Sequence, residues 1–179
     1  MLALVMVIYI LWCMITRQAL LAPLLPIGSA AAAEAPAVAP QTVLVAGASG
    51  RTGREVLAQA ARAGFHAIGM ARDIATVGAA PAGAEWTAGD VRDPASVSKA
   101  MTGATLVICA VGATERSGPN SPQYVDYGGV KNLADAAKAA GVRQFVLLSS
   151  AGVEGGMGLT GWFLNTAFGD VLKWKLKGE

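Results

Sequence analysis

The spacing of three glycines constrains this chain more than any other feature. Gly47, Gly50 and Gly53 stand at every third position, directly after the apolar run Thr42 to Ala46, and helix-compatible sequence follows at once. That order reads strand, tight turn, helix. Gly47 allows a sharp exit from the strand, Gly50 removes the Cβ that would hold a ligand off the main chain, and Gly53 lets the helix lie close to the strand. The unpaired N–H groups at the helix start, with the positive end of the helix dipole, suit a pyrophosphate. With 22 glycines in the chain the triplet alone is weak. Its place between an apolar strand and a helix makes it a dinucleotide signature.

Downstream the pattern alternates. Thr42 to Ala46 is predicted as the first strand and Thr52 to Ala63 as a helix with Val56, Leu57, Ala60 and Ala61 in one stripe, stopped by Gly64. His66 to Ala71 and Ala84 to Ala88 follow as strands. Asp93 and Pro94 form an N-cap and first helical residue for a helix reaching about Met101. Thr105 to Val111 is a continuous apolar run of the kind buried on both faces of a parallel sheet. Pro122 to Ala140 reads as one long helix with Tyr127, Val130, Leu133, Ala134 and Ala137 on its inner side and Gly141 as its stop. Val142 to Ser149 is the fifth strand, and Leu159 to Glu179 looks helical. Strands joined by crossover helices run parallel. The expected fold is therefore a doubly wound α/β sheet of the Rossmann type, strand order 3-2-1-4-5, with its ligand crevice at the carboxyl ends of the strands.

The first 27 residues belong to something else. Met1 to Thr16 carries no charge, Arg17 interrupts, and Ala19 to Ile27 is apolar again with Pro23 and Pro26 inside. As a helix the uncharged run reaches roughly 24 Å, short of a bilayer core of about 30 Å. One reading is a membrane anchor with Arg17 and the nucleotide domain on the cytoplasmic or stromal side. The other is a cleaved targeting peptide that starts at Met14 and ends in the small residues Ser29 to Ala33. Gly28 to Pro40, rich in Ala and Pro, reads as a linker. The domain then occupies residues 41–179. Nothing after Glu179 supplies a sixth strand, so the domain is expected to be incomplete at its carboxyl end.

Composition closes off other classes. A net charge of +2 with scattered Lys and Arg gives no nucleic-acid surface. Cys13, Cys109 and the single histidine, His66, offer neither a disulfide framework nor a metal-ligand cluster, and His66 reads as a strand-edge residue.

Each strand end offers candidates for the crevice. Gly47, Ser49, Gly50, Arg51, Thr52 and Gly53 would hold the phosphates. Arg72 and Asp73 follow the second strand and argue about the coenzyme. An acid there binds the ribose 2′-hydroxyl of NAD, and Asp73 stands about 20 residues past the last glycine, where such an acid is expected. Arginine instead binds the 2′-phosphate of NADP through charge-assisted hydrogen bonds, and Arg51 adds a second cation. The charges favour NADP, with NAD the alternative. After the third strand come Asp90, able to accept from the adenine amino group or to serve as a turn residue, and Val91. Ala110, Val111 and Gly112 after the fourth strand are small enough for backbone to approach the coenzyme. Ser149 and Ser150 close the fifth strand, where a serine binds a substrate carbonyl or caps the strand end. Tyr127 and Lys131 match Y-x-x-x-K, the proton-transfer pair of short-chain dehydrogenases. Here they precede the serine instead of following it, so Tyr127 reads as core and Gly128-Gly129 as a close approach to the sheet.

These motifs together resemble the atypical short-chain dehydrogenase/reductases, the NmrA-like NAD(P)-binding group. The chain is similar to the flavin/biliverdin reductase B type and to plastid and cyanobacterial membrane-associated relatives. The resemblance is carried by V-L-V-A-G-A-S-G-R-T-G (43–53), A-R-D (71–73), G-D-V (89–91), the run from Val125 to Val142, F-V-L-L-S-S (145–150) and V-L-K-W-K-L-K-G-E (171–179). It implies that Arg72 contacts the 2′-phosphate and that Lys175 or Lys177 assists proton transfer. Two functions follow as expectations. One is an NADPH-dependent oxidoreductase acting on a quinone, flavin or carbonyl acceptor. The other is a non-catalytic NADP(H) sensor or assembly factor for a membrane complex, its protein partner unspecified.

Overall fold

A computed structural model describes residues 41–150 and 170–179. The anchor, targeting and linker readings of residues 1–40, and the part of the tail from 151 to 169, lie outside the described residues. In chain order the elements are β1 (Thr42–Ala46), α1 (Arg51–Arg62), β2 (His66–Ala71), β3 (Ala84–Ala88), α2 (Pro94–Ala100) and β4 (Leu106–Cys109). A π-helical segment, Gln123–Gly129, then runs into α3 (Val130–Ala139), followed by β5 (Gln144–Leu147) and α4 (Val171–Gly178). All four strand pairings are parallel and the order is β3-β2-β1-β4-β5, the order expected for a doubly wound sheet. Among the described residues no helix is long and apolar enough to cross a membrane.

β1 shows why the sheet is buried on both sides. Leu44 and Ala46 join a core with Met70, Val97, Val107 and Leu133, which lies under α2 and α3. Val43 and Val45, equally buried, point the other way. Val45 pairs in register with Gly69, where a Cβ would meet Leu57 Cδ2 of α1 at 2.7 Å. A strand at the centre of a parallel sheet has no polar face, and the unbroken run Val43 to Ala46 follows from that. Helix ends obey their signals. Gly64 and Gly141 take positive φ after α1 and α3, and the Asp93 carboxylate accepts from Ala95 N at 3.0 Å ahead of Pro94.

The long helix departs from expectation. Its first seven residues form the wider i→i+5 turn, which changes the phase of the buried stripe. Val125, Asp126 and Gly129 face inward, and Tyr127 is only half-buried, stacked on Trp174 of α4 with ring centroids 6.0 Å apart. Tyr127 is thus not core, and in α3 Ala136 takes the buried place expected of Ala134, which is exposed. The close approach predicted for the glycine pair is made by Gly129 alone. A Cβ there would meet Val91 Cγ2, after β3, at 2.7 Å, whereas one at Gly128 would make only ordinary contact. β4 and β5 are shorter than their apolar runs, and after β4 the chain leaves the ladder to line the crevice with Ala110 and Val111. Gly129→Ala should therefore destabilise the protein by about 1–3 kcal/mol through overpacking. Val91→Ala in the same chain should recover more than additivity allows, as read from urea unfolding midpoints.

Candidate nucleotide site

The chain turns back on itself after β1. Gly50 N donates to Gly47 O at 3.0 Å, and Gly47 holds φ +79° with Ala110 O lying 2.6 Å from where a Cβ would stand. At Gly53 a Cβ would fall 2.2 Å from Gly47 O, so the first turn of α1 rests directly on the turn. No side chain caps α1, and its first turn holds no acidic residue. Its leading N–H groups are left for an anion.

The cleft over this turn encloses roughly 700 Å³, counting space open to solvent. Gly47, Ser49 and Gly50 form its floor, with Ala71 at the end of β2 and Arg72 just past it, Asp90, Val91 and Arg92 after β3, and Ala110, Val111 and Gly112 after β4. Thr114 and Asn120, on the loop before the π-helical segment, close one side. Arg51, Thr52 and Gly53 stand behind the floor in α1, outside the cleft lining.

The two residues that disputed the coenzyme have separate duties. Asp73 turns into its own loop, where Oδ1 accepts from Ala75 N at 3.0 Å, and it does not line the cleft. Arg72 lines it, and its Nη1 donates to Asn120 Oδ1 at 2.8 Å. Asp90 is committed to Arg92. Its Oδ1 accepts from Arg92 N at 3.0 Å and Nε at 2.9 Å, and its Oδ2 from Nη2 at 2.5 Å. The Arg92 guanidinium, helped by the charge of Arg72, holds the Asp90 carboxyl below its usual value despite partial burial. This is the turn role foreseen as an alternative for Asp90, with both carboxylate oxygens taken.

Ser149 and Ser150 are exposed and outside the cleft lining, and Ser149 Oγ donates to Glu179 Oε1. Lys175 is largely buried, with its Nζ 2.8 Å from Oδ1 of the fully buried Asp126. That contact is an ion pair whose angle falls short of a hydrogen bond, since Oδ1 has no hydrogen-bond partner among the described residues. Asp126 Oδ2 accepts from Ala113 N at 3.2 Å, which ties the loop after β4 to the same carboxylate. The Lys177 ammonium lies 4.6 Å from the Tyr127 ring centroid, and Lys131 is exposed and paired with Asp135 at 2.5 Å, so Tyr127 and Lys131 do not work as a pair. Burial pushes the Cys109 thiol up to about 11, which leaves it protonated at neutral pH and no nucleophile. His66 is an exposed strand-end residue facing Glu85 at 3.1 Å.

Reading the sequence passed over Arg92, Asn120 and Asp126. Asp126 had a signal, because it keeps helical spacing with Val130, Leu133 and Ala137 on the buried stripe. Asn120 had none, since a loop residue has no periodicity to betray it.

A family model described as NAD(P)H-binding matches residues 47–179, beginning at the first glycine of the turn. The chain belongs to this NAD(P)H-binding family. It is similar to the chloroplastic protein TIC 62 of Pisum sativum, 32% identical over 76% of this chain and 29% of that one. It is also similar to sanguinarine reductase of Eschscholzia californica, 28% identical over 77% of this chain and 63% of the relative. Among solved structures the oxidoreductase ylbE from Lactococcus lactis superposes with a TM-score of 0.64, 25% identical over 77% of this chain and 61% of that one. The chain spans less than two-thirds of the length of each. The family's coenzyme fits the residues present: two glycines at the floor of the turn, an uncapped helix start, and an arginine in the cleft wall.

The buried ion pair sets a test of how α4 is held. Lys175→Met leaves the Asp126 carboxylate without its counter-ion and should cost about 3 kcal/mol. Asp126→Asn made together with Lys175→Met should cost clearly less, both read by urea denaturation.

Proposed function

We propose that this domain binds NADPH in preference to NADH and passes its hydride to a small-molecule acceptor, a quinone, flavin or carbonyl compound. One observation carries the coenzyme choice. Arg72 faces the cleft with a neutral amide as its partner, while Asp73, the acid that would select NAD, is turned into its own loop. A cation held this way attracts a 2′-phosphate and gains nothing from a 2′-hydroxyl. When bound, the coenzyme supplies the hydride, and quinone or flavin acceptors take their protons from water, so the chain needs no proton-donating tyrosine. The names of sanguinarine reductase and of the ylbE oxidoreductase support a reductase reading.

A second reading is favoured by a different observation. The two candidate catalytic side chains are each engaged with a carboxylate, Lys175 with Asp126 and Ser149 with Glu179, and neither lies in the cleft lining. A site with no committed proton donor suits a protein that senses the NADP(H) ratio or assists assembly of a membrane complex. Residues 1–27, read as an anchor, would hold such a domain at a membrane on the cytoplasmic or stromal side, and the chloroplastic relative fits a plastid-type setting. Fractionation of the full chain, with sequencing of its mature amino terminus, distinguishes an anchor from a cleaved peptide.

Calorimetry on the full chain should find NADPH bound more tightly than NADH. Arg72→Ala should weaken NADPH by about 10- to 100-fold, the worth of a hydrogen bond to a charged group, and leave NADH within about twofold. Equal affinity for both coenzymes in the wild type would refute the NADPH reading. Oxidation of NADPH across a panel of quinones and flavins then separates the two functions, because tight binding without turnover on any acceptor would favour the sensor.

A further inference from the structure

Resting on the NADPH reading, we propose that Asn120 is the residue through which the loop after β4 sets coenzyme preference. Its neutral carbonyl positions Arg72 toward the cleft without cancelling the arginine's charge.

The geometry is a network of five side chains from three loops. Asp90 takes Nε and Nη2 of Arg92, which leaves Nη1 of Arg92 to donate to Asn120 Oδ1 at 2.9 Å. Arg72 Nη1 donates to that same oxygen at 2.8 Å. The amide nitrogen of Asn120 donates in turn to Glu115 Oε1 at 2.8 Å. This orientation is the only one the surroundings permit, because the flipped amide would set an NH₂ against two guanidinium groups and an oxygen against a carboxylate. Asn120 is itself gripped by the loop, its main-chain carbonyl accepting from Thr114 N at 3.3 Å and Glu115 N at 3.4 Å.

The two arginines therefore differ in what they can still bind. Arg92 has both edges engaged and its charge matched by Asp90, so it acts as a support. Among the described residues Arg72 makes one hydrogen bond, to Asn120, and no ion pair. Its Nε and Nη2 edge stays available for the bidentate contact that a phosphate favours, with the rotamer already held. A carboxylate in place of the amide would accept from the same two donors and pair with Arg72 electrostatically. The cleft would then present a neutral pair where it now presents a cation, and only a coenzyme with a 2′-phosphate would register the loss. Asn120 is thus a positioning residue whose neutrality matters as much as its hydrogen bonds.

The test titrates the full chain with NADPH and with NADH by calorimetry, with thermal melts to establish folding. Asn120→Asp is made together with Glu115→Gln, which removes the repulsion a new carboxylate would otherwise meet. The pair should weaken NADPH at least tenfold and leave NADH within about twofold, while Glu115→Gln alone leaves both coenzymes within about threefold. Asn120→Leu, which removes the hydrogen bonds without adding charge, should weaken NADPH by several-fold and NADH not at all. If the double variant and Asn120→Leu bind NADPH as the wild type does while Arg72→Ala loses it, the role of Asn120 is overturned and the coenzyme reading survives. If the loop variants weaken both coenzymes equally, Asn120 is structural and the proposal fails. If Arg72→Ala keeps the wild-type preference, the coenzyme reading fails and this proposal fails with it.

Discussion

The structure depends on how closely the main chain can approach itself between Gly47 and Gly53. At Gly47 the loop after β4 sits 2.6 Å from an imagined Cβ, and at Gly53 the turn's own carbonyl sits 2.2 Å away. A real Cβ at either place would push α1 from β1 or β4 from the turn, and such displacement of packed backbone is expensive. The contact does more than hold the sheet. It aims the uncapped start of α1 at the cleft and fixes where β4 must end, so the floor and the far wall of the site are set by the same two missing methyl groups.

Around that floor Arg72 is left, among the described residues, without a carboxylate partner of its own. Arg54 donates to the carbonyls of Val77 and Ala79 at 3.0 and 2.7 Å and so pins the loop between β2 and β3. Arg92 is held by Asp90, and Lys175 by Asp126. Among the described residues Arg72 has one hydrogen-bond partner, the neutral Asn120. A positive charge left facing a cleft makes its local potential positive, which repels cations and draws in phosphates, and low-dielectric walls sharpen the effect. The electrostatic character of the site follows less from how many basic residues the chain has than from which of them are already paired.

That distinction marks the limit of what the sequence could disclose. Strand order, the helix stops at Gly64 and Gly141 and the cap at Asp93 were legible because each rests on local chemistry or on periodicity. The floor of the cleft was legible for the same reason, since Gly47 and Gly50 occupy positions that the turn itself demands. The partners of Arg72 were not, because Asn120 reaches it from 48 positions away through a loop whose path no pattern encodes. Nor was the π-helical turn. Val125 to Val130 has ordinary helical spacing, and the wider turn ends at Gly129, which passes Val91 at a distance that excludes a Cβ. The phase error moved Tyr127 from the expected core to a stacked position on α4 and put Asp126 in its place.

A buried carboxylate in that place is costly, and the cost explains its partners. Removing Asp126 from water is offset only if its oxygens are met, and they are met from two directions: Lys175 from α4 and the Ala113 amide from the loop after β4. Such a pair adds little net stability over an apolar pair of the same shape, but it has one geometry in which it is satisfied, whereas an apolar contact has many. Helix α4 can slide its Trp174 over Tyr127 without losing much dispersion energy, but not without stranding Asp126. Gly178 completes the constraint, since a Cβ there would lie 2.5 Å from Asp126 O and the helix could not seat. The ion pair is thus better understood as fixing the register of α4 against the π-helical segment than as binding energy. Because Ala113 shares the carboxylate, that register is transmitted to the loop that carries Asn120 to Arg72.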